Sequence, residues 1–425
     1  MSEKREEENF DTENHKQLGK ANSSPLISTS LKFSSVLSLA LGWMMLYADR
    51  LSISPLLDMI KTEFGLSNFS VSLVVFSYFL AYVALTIPAT IGAMRYGFKK
   101  TLITFFVLAA ASLALAGVFG YSYFLLVILI GLHGAGAGAY YPAAYTISTE
   151  TVPRDKVGSF SALINSGMAF GTVLGLVVAG PVLLFFSNWQ IVLLILSVPT
   201  FVVALLLYRV TPDIGQGAQR NTKSWSALVL QYRKALAQRD FLMIALAMFC
   251  SLYGYWTILT WAPTFLQMSR KLDVLSSGAT TAVFAAVAIM PSILISRHTD
   301  KIGRKKVSLT ILPLAALSIF FMAYSTTLVE FLAAIVTYGI VGKLTLDPIA
   351  ISWIGDITSP EMLSPSLAVL NVVAMSSSIL APVITGALAD TFSSLAYGFY
   401  LGALVVLIGT IFIALARTRN QHSTR

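Results

Sequence analysis

Charge is scarce in this chain. Only 12% of its 425 residues are Asp, Glu, Lys or Arg, against a hydrophobic share of 56% and a mean hydropathy of +0.76. Those values exclude a soluble globular domain of this length. Cysteine is almost missing: Cys250 stands alone inside an apolar run, so no internal disulfide can form. Residues 1–30 are polar and acid-rich and lack an early apolar core, so no cleaved signal peptide is expected. The sequence has no cluster of metal-ligating residues, no nucleophile arranged with a His, and no Walker-type phosphate loop. Neither an enzyme nor a cofactor nor a bound metal is therefore expected.

What the chain has is apolar length. Uncharged stretches recur at the roughly 20 residues a helix needs to cross a bilayer core. They fall near 33–57, 69–93, 101–119, 122–148, 158–186, 189–208, 241–268, 275–296, 307–325, 329–355, 362–389 and 393–416. They lack the period-2 alternation of a membrane barrel, so the expectation is an all-α membrane protein with twelve transmembrane helices. Residues 1–32 read as a tail, 33–209 as one six-helix bundle, 210–240 as a linker, 241–416 as a second bundle and 417–425 as a closing tail. Within the linker, Trp225 to Ala237 spaces its apolar residues as a short surface helix would, although a loop throughout fits equally well.

With both termini placed in the cytoplasm, 19 of the 29 basic residues fall in the inner loops and closing tail, and only Lys61, Arg270 and Lys271 in outer loops. That is the bias of a cytoplasmic face. The net charge of +9 reflects it rather than a nucleic-acid surface. A monomer in the plasma membrane is expected.

The two halves repeat each other. Gly97 and Gly303 lie 206 residues apart, and at the same offset Arg95, Lys99 and Lys100 meet Lys301, Lys305 and Lys306. Gly136 meets Gly342, Pro142 meets Pro348, Glu150 meets Asp356, and Asn165 meets Asn371. Repeated halves of six spans mark a secondary transporter, whose site lies where the halves meet.

Four charges lie deep in spans: Asp49, Arg50, Lys343 and Asp347, with His133 as a fifth ionisable group. A charge at mid-bilayer costs about 2.5–3.5 kcal/mol on insertion scales, so it is kept where it faces a partner or a cavity. Helical neighbours point about 100° apart, so Asp49 and Arg50 face different ways, whereas Tyr47 and Ser54 share the face of Arg50. A guanidinium between two hydroxyls is a carboxylate receptor. Asp49, in dry surroundings beside the cavity, is the candidate to take up and release a proton. At the repeat offset Tyr255 and Trp256 correspond to Asp49 and Arg50, so an aromatic wall is expected opposite the basic one. His133 reads as a packing residue, and the glycines at 131, 134, 136 and 138 as a thin face for close helix contact.

The basic loops, the repeat and the length resemble the major facilitator superfamily, which implies two six-helix bundles in the major facilitator fold. Its loop pattern, Gly-x-x-x-Asp-Arg-x-Gly-Arg-Lys, is kept as Asp300, Lys301, Gly303, Arg304 and Lys305. The first copy keeps Arg95, Gly97 and Lys99 but has Met94 in place of the acid. The resemblance implies that this loop gates the cycle, the acid helping to hold the bundles together in one state. Tyr47-Ala48-Asp49-Arg50 with Ser54 further resembles the anion:cation symporter family within the superfamily. Tyr253-Gly254-Tyr255-Trp256 with Trp261-Ala262-Pro263, Asn165-Ser166-Gly167, and Asn371 with Ala381-Pro382 extend the likeness. It implies cation- or proton-coupled uptake of organic anions, with Arg50 on the carboxylate and Asp49 as proton carrier.

The fourth span departs from that family. Its usual Arg and acid are Ile130 and Ala137 here, and at the repeat offset Ala137 meets Lys343. Lys343 and Asp347, at i and i+4, either neutralise each other or serve as a second anion contact and a further proton site. The expectation is an importer of a carboxylate, such as a sugar acid or aromatic acid, coupled to protons by alternating access. The substrate is to be held by Arg50, Tyr47, Tyr255, Trp256, Asn165, Asn371 and Lys343. Export of an amphipathic compound, or a non-transporting sensor with a carrier fold, are the alternatives.

Overall fold

A computed structural model describes residues 29–152, 157–213, 230 and 233–417. These are helical almost throughout. Twelve helices among them are long and apolar enough to cross a membrane: Phe33–Phe64, Asn68–Tyr96, Phe98–Phe119, Tyr123–Ser148, Leu163–Phe186, Trp189–Val210, Arg239–Arg270, Val274–Ser292, Arg304–Tyr324, Leu328–Ile357, Pro365–Phe392 and Ala396–Leu415. They are called spans one to twelve below. The chain is a multi-pass membrane protein; with twelve spans, the start of the first and the end of the last lie on one side, called the tail side. The opposite face is the far side.

Hydropathy placed most spans within a few residues. Three differ in form. The first helix, Thr29–Leu51, stops before a 3-10 turn at Ser54–Leu56 and resumes as Leu57–Glu63. Pro55 has no N–H for the Leu51 carbonyl and its ring crowds that carbonyl, so the helix breaks there. Span four breaks between Gly138 and Tyr140, where Pro142 withholds the N–H that the Gly138 carbonyl needs. Span ten breaks at Gly342, in extended backbone (φ −79°, ψ −163°), against the Tyr338 ring.

The packing repeats as the sequence does. Span one packs on spans five and six, span two on span four, and span three on spans four and six. In the second half span seven packs on eleven and twelve, eight on ten, and nine on ten and twelve. Glycines make the first of these contacts close. Gly167, Gly171 and Gly175 follow at every fourth residue of span five, and a Cβ on them would come within 2.2–2.5 Å of the carbonyls of Ala40, Met44 and Ala48. Such a stripe lets two backbones touch, and it fixes the stretch of span one that carries Tyr47, Asp49 and Arg50.

The halves meet chiefly through span two against eleven and span five against eight. Both seams tighten at the far side. Gly386 lies on the backbone of Asn68 and Phe69, and its repeat partner Gly180 lies on Leu275, the repeat partner of Phe69. The Gln267 amide donates to the Pro55 carbonyl at 2.9 Å, and Asp390 reaches the start of span two. Among the described residues every hydrogen bond between the halves lies at this far side. Cys250 is buried in span seven, with Gly409 of span twelve packed on its Cβ.

On the tail side, Gly97 and Gly303 share a positive φ, 98° and 99°, which only glycine adopts without strain. The linker stretch from Trp225 lies mostly outside the described residues; 233–237 is helical, and the Gln238 amide donates to the Ile357 carbonyl at 3.0 Å.

Candidate substrate-binding site

Span one brings Arg50 to the level where the halves touch, and aromatic rings enclose it. Its guanidinium carbon lies 3.9 Å from the ring centre of Tyr47, 5.5 Å from Tyr78, 5.3 Å from Phe79 and 4.7 Å from Trp256. Tyr78 and Phe79 come from span two, Trp256 from span seven, so both halves contribute. The side chain is 5% exposed, yet Nε and Nη2 have no hydrogen-bond partner, and neither has the buried Trp256 indole nitrogen. An unpaired buried donor costs about 1–3 kcal/mol. Three of them adjoin one another here, a donor set that an anion's oxygens can satisfy.

The face of the Tyr47 ring supports the guanidinium, and one sequence expectation changes in detail. Ser54 lies beyond the helix end at Leu51, so it does not share a helical face with Arg50. Tyr255 and Trp256 do meet the Arg50 level, packed edge-to-face at 5.2 Å.

Asp49 is fully buried, but it turns from the interface into its own half. It makes no ion pair with any described residue. Both carboxylate oxygens lie within reach of the Thr200 hydroxyl of span six, at 3.1 and 2.9 Å, and the same hydroxyl is 2.9 Å from the Leu196 carbonyl. A hydroxyl has one proton to give. With Asp49 ionised it donates to the carboxylate. With Asp49 protonated, the acid donates to Thr200 and the hydroxyl turns to Leu196. The arrangement accommodates both states without rebuilding.

Lys343 and Asp347 form an ion pair of 2.5 Å on one face of span ten, with side-chain exposures of 10% and 28%. The Lys343 ammonium also lies 5.1 Å from the Tyr255 ring centre. The two asparagines are not brought to Arg50. Asn165 is exposed and accepts from the Tyr145 hydroxyl at 3.3 Å on the tail side, and Asn371 has no hydrogen bond to a described residue. His133 is buried within the first half, its Nδ1 2.9 Å from the Ala109 carbonyl of span three.

Of the loop residues, Arg95 is exposed over the Tyr96 ring, and the Asp300 side chain lies outside the described residues. Arg304 pairs with Asp356 at 2.9 Å inside the second half, so that pair does not tie the halves together. Sequence reasoning missed Thr200, Tyr78 and Phe79. The Tyr78–Tyr82 spacing in an apolar span was the available signal for the aromatic box.

The Major Facilitator Superfamily profile matches residues 39–343 and 279–425. The chain belongs to this superfamily. It is 26% identical over 261 residues to a probable chloroplastic anion transporter of Oryza sativa subsp. japonica, covering 56% of this chain and 44% of that protein. It is 24% identical over 271 residues to a probable sulfoacetate transporter of Cupriavidus necator, covering 60% and 61%. It is 24% identical over 258 residues to a hexuronate transporter of Bacillus subtilis, covering 59% and 60%. The chain thus spans about half the length of the curated relatives it matches. In structure it is similar to a bacterial homologue of the human lysosomal transporter Spinster in an inward-facing, occupied conformation (TM-score 0.73, 16% identity, 92% of this chain and 96% of that one). It is equally similar to a D-xylose-proton symporter (0.73, 16%, 92% and 99%). At these identities the likeness is one of fold. These relatives and neighbours are transporters rather than enzymes.

Proposed function

We propose that this chain is a secondary active transporter that imports a small organic anion together with protons. The observation that carries the reading is Arg50: a buried guanidinium at the meeting of the halves, with two unpaired nitrogens and no ion pair to a described residue. Its fork binds the substrate carboxylate, and the Tyr47, Phe79 and Trp256 rings take the apolar part. Asp49, enclosed with only the Thr200 hydroxyl as partner, is expensive to keep as an ion without a cation and serves as the proton carrier.

With both termini in the cytoplasm of a plasma-membrane protein, the closed far-side seam makes this an inward-facing arrangement. Alternating access rocks the bundle 33–209 against the bundle 241–416, joined by the linker 210–240. Asn165 and Asn371 contact substrate on its way to the tail side. Arg95, Gly97, Asp300, Gly303 and Arg304 shape the loops that move against each other when that side closes. A monomer suffices, because both halves of the site come from one chain. The names of the anion, sulfoacetate and hexuronate transporters add support at the level of substrate class.

The test is uptake by the reconstituted full chain of sulfoacetate, glucuronate and gluconate under an inward-directed proton gradient. Accumulation that collapses with a protonophore is the expected result. Accumulation indifferent to the gradient removes the protons, and no uptake of any acid removes the anion.

A further inference from the structure

The charges around the site do not balance evenly, and the imbalance points to a class of substrate. Among the described residues Arg50 has no acid partner, Asp49 no cation, and Lys343 and Asp347 neutralise each other at 2.5 Å. With Asp49 turned into its own half and carrying its proton, the free site holds one uncompensated positive charge, enough for one anionic group. A second such group would enter a dry, aromatic-lined space at a cost of several kcal/mol unless a second cation met it. Lys343 is placed to do so. Its ammonium lies 5.1 Å from the Tyr255 ring, Tyr255 packs on Trp256 at 5.2 Å, and Trp256 lies 4.7 Å from Arg50. Two cations thus flank one aromatic pair. The half-helix Lys343–Ile357 also begins at this residue, so its positive end adds to the ammonium.

Resting on the reading of Arg50 as the first anion contact, we infer that Lys343 is a second anion contact, released for substrate when Asp347 takes up a proton. The chain then carries dianions, such as dicarboxylates or sulfonated carboxylates, with one proton more than a monoanion requires. The step balances: a proton from water bonds to the Asp347 carboxylate, the ammonium keeps its charge, and its partner changes from Asp347 to the second anionic group of the substrate. Asp347 is the more exposed member of the pair, with 28% of its side chain uncovered against 10% for Lys343. Lys343 faces it from its own helix, Tyr141 from span four, Tyr255 from span seven and Tyr338 from the first half of span ten. The phenols stay uncharged between pH 5.5 and 7.5, so Lys343 is the one charged group set against Asp347 among the described residues.

The experiment compares size-matched probes on the purified full chain by calorimetry at pH 5.5 and 7.5: galactarate against gluconate, and sulfoacetate against methylsulfonylacetate. In the wild type the dianion of each pair should bind at least tenfold tighter at pH 5.5. That advantage should shrink towards pH 7.5 while the monoanion changes little. Asp347→Asn should hold dianion affinity at pH 7.5 near its acid value. The double variant Lys343→Gln with Asp347→Asn strands no charge, so it should keep the wild-type melting temperature while losing the dianion preference. Equal binding within both pairs, or a preference that survives in the double variant, overturns this inference and leaves Arg50 as the anion contact. If no probe binds at all, the anion reading itself falls and this inference with it.

Discussion

The carboxylate of Asp390, at the far end of span eleven, caps span two across the boundary between the halves. Oδ1 accepts from the backbone N–H of Asn68 at 2.9 Å and from its side-chain amide at 2.8 Å, and Oδ2 accepts from the N–H of Phe69 at 2.8 Å. Ser67 satisfies the next first-turn donor, Ser70, at 3.1 Å. First-turn N–H groups have no partner within their own helix, so a neighbouring carboxylate is held by hydrogen bonds and by the helix dipole together. The repeat partner of Asp390 is Leu184, exposed and apolar, so the latch exists on one seam only.

Removing that latch should favour opening at the far side. Because the group is exposed, the cap contributes about 1 kcal/mol, which is several-fold in population. Spin labels at Thr62 and Thr391, both exposed at the far ends of opposite halves, would report it. Asp390→Ala should add a longer-distance population, and unchanged distances would dismiss the latch.

Arg50→Lys should preserve the melting temperature and weaken anion binding by roughly tenfold to a hundredfold. The ammonium keeps the charge but loses the two-pronged donor and the flat stacking on Tyr47. Titration with the tightest-binding acid measures it; near-normal affinity in this variant or in Arg50→Ala would falsify the anion clamp.

Asp49→Asn should abolish accumulation driven by a pH gradient and spare exchange of substrate across the membrane, since the amide stands in for the protonated acid. Thr200→Val removes the hydroxyl that serves both states of Asp49, and should slow coupled uptake about tenfold with exchange again spared. Equal losses in uptake and exchange would mean that both residues merely hold the fold.

Gly171→Ala should lower stability by about 1–3 kcal/mol, the range for forcing extra volume into a packed contact, because its Cβ would lie 2.2 Å from the Met44 carbonyl. Gly92→Ala, with no atom within 4 Å of the new carbon, is the matched control and should leave the melting temperature unchanged. A thermal shift of similar size in both would show that the span-one contact is not special.

The spans were legible because crossing a bilayer leaves a composition signal about 20 residues long. Their breaks were not, because Pro142 and Gly342 act through one carbonyl and one ring each, and the sequence offered them only as repeat partners. The extension of span one to Phe64 hid behind Asp58, Lys61 and Glu63, which dilute its hydropathy. Arg50 and Trp256 were legible as a facing pair through the 206-residue offset. Thr200 was not. A lone Thr in an apolar span ordinarily bonds its own i−4 carbonyl, and only the packing of span six on span one reveals a second acceptor. Asp390 stood one residue beyond the expected end of its span, where a carboxylate reads as a solvated loop residue.

The single thiol has a practical bearing on all of these measurements. Cys250 is 4% exposed and packs beside Gly409 in the interior of the second half. A reporter cysteine installed on the surface should therefore label far ahead of the native residue, and the parent chain carried through the same reaction measures the background.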